Sequence, residues 1–464
     1  MKIGFIKAIR LAASYGRLPL KEREKLREER LKELVTYAKN NSPYFKRLYE
    51  NIGENFQLSE LPVTNKVEMV KHFDEWVTDR EVHLSEIMEF MNDLDHVGRS
   101  FKSRYLVFTT SGSTGNPSII LCDKTAKNVM DAAAILRSYA RKEDMKAFIK
   151  KKGKSAGVFA TGGFYLGYST VRNRQLKTPW KKNQVMITSI LNPMEQIVDE
   201  LNRFQPAMLG GYPTALELLA EEQKSGRLRI SPVLVMTGGE YLSKELREWL
   251  KETFQCYVQT NYSCTEGGII ACECGYEHFH VNDDWIILEP VDKDNNSVPD
   301  GVQSDKWLLT NLSNYTQPLI RYEITDRVVL HREGCTCQNP SPWIEIEGRT
   351  DDILNFQGDK GAVRIIPLAL YAILKEIHEI NRFQLILRQN NELELRLICK
   401  EKNAVPEVFD MAKGKIRKYL KENGITEATV YLSEEEPKAH AQSGKFKHVY
   451  QELKEEGECR TMKN

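Results

Sequence analysis

The sequence predicts an α/β protein: a large N-terminal domain of layered, mainly parallel sheets and helices, then a small α+β C-terminal domain. Three observations predict it. Short apolar segments (SAGVFA, PAMLGGY, ISPVLVMTGG, CYVQTNYS) alternate with helical ones such as PTALELLAEEQKSG and SKELREWLKETF. Such alternation marks parallel strands covered by helices. After about residue 349 the texture changes: INRFQLILR, LELRLICK and ATVYLS read as strands around one helix, MAKGKIRKYLKENG. Finally, 464 residues exceed what one core usually serves. The expected domains are 1–348 and 349–464.

In chain order, the first 100 or so residues read as mainly helical. The N-terminus, MKIGFIKAIRLAASYGRL, is amphipathic, but Lys2, Lys7 and Arg10 interrupt it too often for a signal-peptide core. Residues 21–50 read as helix. Leu26, Leu31, Leu34, Val35 and Ala38 mark its apolar face, and the charge run reads as its solvated side. Next comes Phe108–Leu121, FTTSGSTGNPSIIL, a small hydroxylated loop before a strand. KWLLTNL and PLIRYEI add strands later.

Composition excludes several classes. Basic and acidic residues nearly cancel, 66 against 65, so there is no nucleic-acid or membrane-surface footprint. No apolar run reaches the ~18 residues of a membrane span. Nine cysteines without an export signal read as reduced cytoplasmic thiols or metal ligands.

Several motifs can carry chemistry. In the Phe108–Leu121 loop, glycines let backbone N–H groups turn toward an anion and hydroxyls add donors, although an ordinary Gly/Ser turn has the same composition. GxxxxGK[ST] is absent. TNYSCTEGG ends a strand with Tyr262, Thr265 and Glu266 close together: a ring that can stack, a hydroxyl that can meet phosphate, a carboxylate that can hold Mg²⁺. Asp326 follows the PLIRYEI strand, Arg349 and Asp351 stand at the domain boundary, and Lys445 sits in a glycine-bearing loop, QSGKFKHV. Singly, each also reads as an ordinary core or surface residue.

In this order the motifs resemble the adenylate-forming superfamily of acyl- and aryl-CoA ligases, adenylation domains and luciferases, and most nearly its phenylacetate-CoA ligase branch. ATGGFYLGY and NSPYFKRLY are similar to segments of that branch. The resemblance implies that Thr110, Ser111, Gly112, Ser113, Thr114 and Gly115 wrap the ATP phosphates and that Gly239 and Glu240 lie along adenine. It implies that Tyr262 stacks on the base, Thr265 meets the α-phosphate, Glu266 holds Mg²⁺, and Asp326 and Arg349 bind ribose. Lys445 would bridge the substrate carboxylate and α-phosphate, and Asp351 would be the hinge of a mobile C-terminal lid. Departures are Asn116, where Lys is frequent, Ser263, where Gly is usual, and Glu323 and Thr325 within YEITD.

The resemblance further implies an acyl pocket at Phe164, Tyr165, Gly211, Tyr212 and Pro213. Cys264 reads equally as a pocket or core thiol. Cys274, His280, Cys335 and Cys337 match the branch's cysteine-bearing segments and would hold structural Zn²⁺, with Cys272 or His278 as substitutes. Two unrelated thiol pairs are the other reading. The expected enzyme is cytoplasmic, with a homodimer as a family-level expectation. It uses ATP and Mg²⁺ to adenylate a small, aromatic carboxylic acid, then passes the acyl group to coenzyme A. A carrier protein, amine or hydroxyl acceptor, or a nucleotide-binding regulator without catalysis, are the alternatives.

Overall fold

The computed structural model describes residues 3–110, 118–161, 163–189, 192, 194–349, 354–365, 370, 373–374, 377, 379–438 and 447–452. The chain divides into two compact units, Met1–Glu347 and Gly348–Asn464.

The first unit opens with helices Phe5–Tyr15 and Leu20–Asn41. The predicted 21–50 helix is in fact two. Proline at 43 pushes Ser42 out of helical backbone, to φ −110° and ψ 116°. Ser42 then caps the next helix, Pro43–Leu48, by accepting from the Phe45 N–H.

The charge run is not only a wet side. Arg23 and Arg30 are buried on the same face as Leu31 and Leu34. Arg23 donates to both Asp283 carboxylate oxygens, at 3.0 and 2.9 Å. Arg30 lies over the Trp285 ring, 3.5 Å from its centroid, and donates to the Asp284 carbonyl. Residues seven apart share a helix face, so the apolar stripe carries these two cations inward. They are tolerated there because each finds partners on one distant loop.

A hairpin pairs β1 (Leu106–Thr109) with β2 (Ile119–Cys122). Next come β3 (Ser155–Phe159), β4 (Val185–Ser189), β5 (Met208–Gly211), β6 (Leu234–Thr237) and β7 (Tyr257–Cys264). They form a parallel run in the order β4-β3-β5-β6-β7. Val158, Leu209, Val235 and Val258 from this run pack against Leu216 and Leu250 of the covering helices. This is the continuous apolar strand core expected of parallel strands.

The sheet then turns antiparallel through β8 (Gly268–Glu273) and β9 (Phe279–Val281). A separate three-stranded sheet joins β10 (Ile286–Val291), β11 (Lys306–Asn311) and β12 (Tyr322–Ile324). PLIRYEI is strand only from Tyr322, because Arg321 turns at φ +47°. The large sheet is completed by β13 (Asp326–His331) and β14 (Trp343–Arg349).

In the second unit β15 (Leu354–Gly358) and β16 (Gly361–Ile365) form a hairpin. The strands β17 (Ile380–Leu387), β18 (Glu392–Cys399), β19 (Thr429–Leu432) and β20 (Val449–Gln451) form a sheet in the order β19-β18-β17-β20. Helix Val405–Glu422 buries Val408, Ala412, Ile416 and Leu420, one per turn, in the core of this unit.

Candidate active site

Parallel strands end on one edge of their sheet, so the segments after β3, β5, β6 and β7 gather there. Beside them lies the β1–β2 hairpin, whose Thr110 and Ser118 flank the Gly/Ser segment. Its neck is closed by two bonds. The Thr110 N–H donates to the Ser118 carbonyl at 3.1 Å, and the Ser118 N–H donates to Thr110 Oγ1 at 2.8 Å. Ser111, Gly112, Ser113, Thr114, Gly115 and Asn116 lie outside the described residues. The Thr109 N–H donates to the Phe164 carbonyl at 2.8 Å, tying the hairpin to the ATGGFYLGY segment.

After β6 the chain turns at Gly239, with φ +79°. A Cβ there would also approach the Tyr212 ring to 3.1 Å, so the backbone of Gly239 lies close to that ring. Tyr212 is buried edge-on to Phe159, with centroids 6.3 Å apart, and burial pushes its phenol up to about 12. A Cβ at Gly211 would meet the Val158 carbonyl at 3.2 Å. Pro213 opens helix Pro213–Lys224, where its missing N–H costs nothing. Phe164 is fully buried near Phe90, in the core; Tyr165 is half-buried.

β7 carries Tyr262, Ser263 and Cys264, followed by Thr265 and Glu266. The β7–β8 register shifts between Tyr262 and Ser263. A bulge here re-aims the side chains that follow. Tyr262 donates its phenol hydrogen to Asp326, the first residue of β13, and accepts from Trp307 Nε1 at 3.2 Å. Burial, then the Asp326 charge, hold this phenol well above its ordinary range, so it stays a donor. Burial, then Glu266, likewise raise the Cys264 thiol, which takes a bond from the Gly267 N–H at 3.3 Å. A thiol so held is a packing group rather than a nucleophile. Asn311 Nδ2 donates to the Glu266 carbonyl at 3.3 Å. Glu323 accepts from Lys306 at 2.5 Å.

Arg349 ends β14, and its side chain, with Asp351 and Lys445, lies outside the described residues. Sequence reasoning did not single out Trp307 or Asn311. Both belong to KWLLTNL, whose strand pattern was legible. The signal for Asn311 was a carboxamide closing a mostly buried strand.

Cys274, His280, Cys335 and Cys337 bring one ligand atom each to within 4.8 Å of one another. His280 Nε2 lies 3.1 Å from Cys337 Sγ, and Cys335 Sγ lies 3.2 Å from Cys337 Sγ and 3.8 Å from Cys274 Sγ. The other imidazole nitrogen, His280 Nδ1, lies 2.8 Å from the Ser341 carbonyl, which leaves Nε2 to face the thiols. Of the two substitutes, buried Cys272 accepts from Asn282 Nδ2 at 3.8 Å instead. His278 stacks on Trp343, with centroids 4.0 Å apart, while its Nδ1 lies 3.3 Å from Cys335.

No family model matches the chain. It is 25% identical over 398 residues to phenylacetate-coenzyme A ligase of Thermus thermophilus, covering 81% of both chains. The chain is homologous to phenylacetate-coenzyme A ligase. This ligase homologue is also 24% identical over 362 residues to protein CapK of Staphylococcus aureus, covering 74% of its own length and 71% of CapK. In fold it is similar to 2-hydroxyisobutyryl-CoA ligase captured with 2-HIB-AMP in the postadenylation state. That match has a TM-score of 0.66 at 19% identity and covers 94% of this chain and 90% of that one. The same enzyme with 2-HIB-AMP and CoA, in its thioesterification state, matches with a TM-score of 0.57 at 18% identity, covering 95% and 91%. The two-domain fold of these adenylate-forming ligases is therefore the fold of this chain. Among the described residues no helix is long and apolar enough to cross a membrane.

Proposed function

We propose that the protein is an AMP-forming carboxylate–CoA ligase. The observation that carries this reading is the homology to phenylacetate-coenzyme A ligase over four-fifths of both chains. The site geometry supports it. Tyr262 is partly buried and its hydroxyl is held by Asp326, which suits a base platform beside a ribose acceptor. Gly239 supplies close backbone along the same edge, and the Thr110–Ser118 bonds flank the Gly/Ser segment assigned to the phosphates.

In this reading the carboxylate of the acid attacks the α-phosphorus of ATP and pyrophosphate leaves. Thr265 meets the α-phosphate, and Arg349 joins Asp326 on the ribose. Lys445 neutralises the charge that builds as two anions approach. Glu266 offers the hard oxygen that Mg²⁺ prefers, and the ion would neutralise phosphate charge when bound. The acyl-adenylate then meets the thiol of coenzyme A, and AMP leaves as the thioester forms. Holding the reactants in register is the main task of the protein in both steps. Consumption of ATP and coenzyme A suits a cytoplasmic enzyme.

The thiol and imidazole donors of Cys274, His280, Cys335 and Cys337 fit Zn²⁺ in number and type. Four protein ligands leave no open position, so the metal would be structural. It would pin the β8–β9 turn to the segment between β13 and β14.

The test is pyrophosphate release with ATP, Mg²⁺ and a panel of carboxylic acids, with and without coenzyme A. Acid-dependent release accompanied by thioester is expected. Release without thioester would move the acceptor to a carrier protein or amine. Silence across the panel with ATP still bound would overturn the ligase reading.

A further inference from the structure

We infer that Gln384 is a positioning residue for the adenylation step, because its one amide group holds together both ends of the stretch that carries Lys445. This rests on the ligase reading above and on the role assigned there to Lys445. Gln384 Nε2 donates to the Lys438 carbonyl at 3.1 Å and to the Lys447 carbonyl at 3.0 Å. Residues 439–446, Lys445 among them, fall between those two carbonyls in the sequence.

The strand β17 dictates which way this side chain points. Phe383 and Leu385 enter the core of the second unit, so Gln384 between them faces the other side of the sheet. It is only 3% exposed there, and a buried amide needs partners. A primary amide nitrogen carries two hydrogens, one for each carbonyl, while Gln384 Oε1 lies 3.5 Å from Arg396 Nη1. A flipped amide would set its oxygen against two carbonyl oxygens, so the partners fix this orientation.

The chain on either side is tied to the same sheet. Before the stretch, the Ser433 hydroxyl donates to Glu394 at 2.9 Å and Glu435 pairs with Arg396 at 2.8 Å. After it, the Leu385 N–H donates to the His448 carbonyl at 2.7 Å, where β20 joins β17. Lys438 and Lys447 belong to no strand, since β19 ends at Leu432 and β20 starts at Val449. Strand pairing therefore runs through backbone bonds without Gln384, whose amide serves the connection. Pinning both ends lowers the entropy that must be given up to bring Lys445 to the α-phosphate.

The experiment uses whichever of acetate, butyrate, octanoate, benzoate and phenylacetate supports the fastest pyrophosphate release, and the synthetic adenylate of that acid. Gln384→Met keeps the length of the side chain and loses both donors. It should lower kcat for pyrophosphate release about tenfold or more and leave the KM for ATP near the wild-type value. Thioester formation from the supplied adenylate and coenzyme A bypasses the step assigned to Lys445 and should be unchanged. In the Lys445→Ala background Gln384→Met should cause no further loss. Gln384→Asn keeps the amide on a shorter stem and should lower the same kcat, which keeps the test decisive if Gln384→Met does not fold. Wild-type kcat in a folded variant overturns the inference. Equal loss in both steps, or a further loss on top of Lys445→Ala, also overturns it by making Gln384 a structural residue of the sheet alone. Equal release from Lys445→Ala and wild type removes the lysine role on which the inference rests. No release with any acid, from protein that still binds ATP, overturns the ligase reading itself.

Discussion

The phenol of Tyr262 donates to the carboxylate of Asp326 across 64 residues of sequence, and Trp307 donates to the phenol oxygen. The group assigned to the base and the group assigned to the ribose are thus one hydrogen-bonded unit. Tyr262→Phe leaves Asp326 without this donor, and such losses cost about 1.5–3 kcal/mol for a charged acceptor. ATP affinity, measured by calorimetry, should fall about tenfold or more in Tyr262→Phe and in Asp326→Asn. The double variant should lose less than the sum. Strict additivity would show that the two side chains act separately.

Lys445 is assigned to the attacking carboxylate rather than to nucleotide affinity. Lys445→Ala should lower acid-dependent pyrophosphate release by about 10²–10³, the scale for removing one charge-stabilising group. ATP binding should stay near the wild-type value. Equal pyrophosphate output from variant and wild type would remove the lysine from the mechanism.

Metal analysis of purified protein should find about one zinc per chain, as four thiol and imidazole ligands require. Cys335→Ser and Cys337→Ser should each lose the metal and lower Tm. Cys272→Ser should keep it, because that thiol faces Asn282. Full zinc retention in Cys337→Ser would break the assignment.

Asp284 accepts two bonds from Arg137 and is almost wholly buried. Burial alone would lower the Arg137 pKa, but the Asp284 charge outweighs it and raises it. Asp284→Ala strands that cation and should cost about 3–5 kcal/mol in urea unfolding. The double change Arg137→Met with Asp284→Leu should recover much of the loss. No recovery would mean that backbone order in the 282–285 loop, rather than charge pairing, carries the stability.

In the second unit Glu394 accepts from Arg396 at 2.7 Å, from Arg388 at 2.9 and 2.6 Å, and from Ser433 at 2.9 Å. Burial raises its pKa, but these bonds prevail and hold it at about 2, from 4.5. A depressed carboxyl contributes stability that is complete above its unfolded pKa and fades as pH falls toward its folded one. Hydrogen exchange at β17 and β18 should therefore be faster in Glu394→Gln than in wild type above pH 4.5, with the gap closing toward about pH 2. A gap constant with pH would assign the effect to packing.

Much of this was legible in the residues. The alternating apolar segments placed the parallel run. Gly and hydroxyl side chains marked the hairpin loop, and the resemblance singled out the four thiol and imidazole side chains that cluster. Pro43 could have shown the helix break at Ser42, since a residue before proline leaves helical backbone.

By itself the sequence determined most of the secondary elements and the turn chemistry, because periodicity and local backbone preference act over a few residues. Only the tertiary structure decided which residues meet. Arg23 and Arg30 read as solvated until the Asp283–Trp285 loop, some 250 residues away, arrived to pair them. Cys272 and Cys274 are two residues apart, a spacing that shares one face of a strand, yet β8 ends at Glu273, so Cys274 leaves that face and only it reaches Cys335. Met130 packs close to Gly268, where a Cβ would come within 3.0 Å of its sulfur. Such contacts depend on long-range packing of distant segments, which local spacing does not encode.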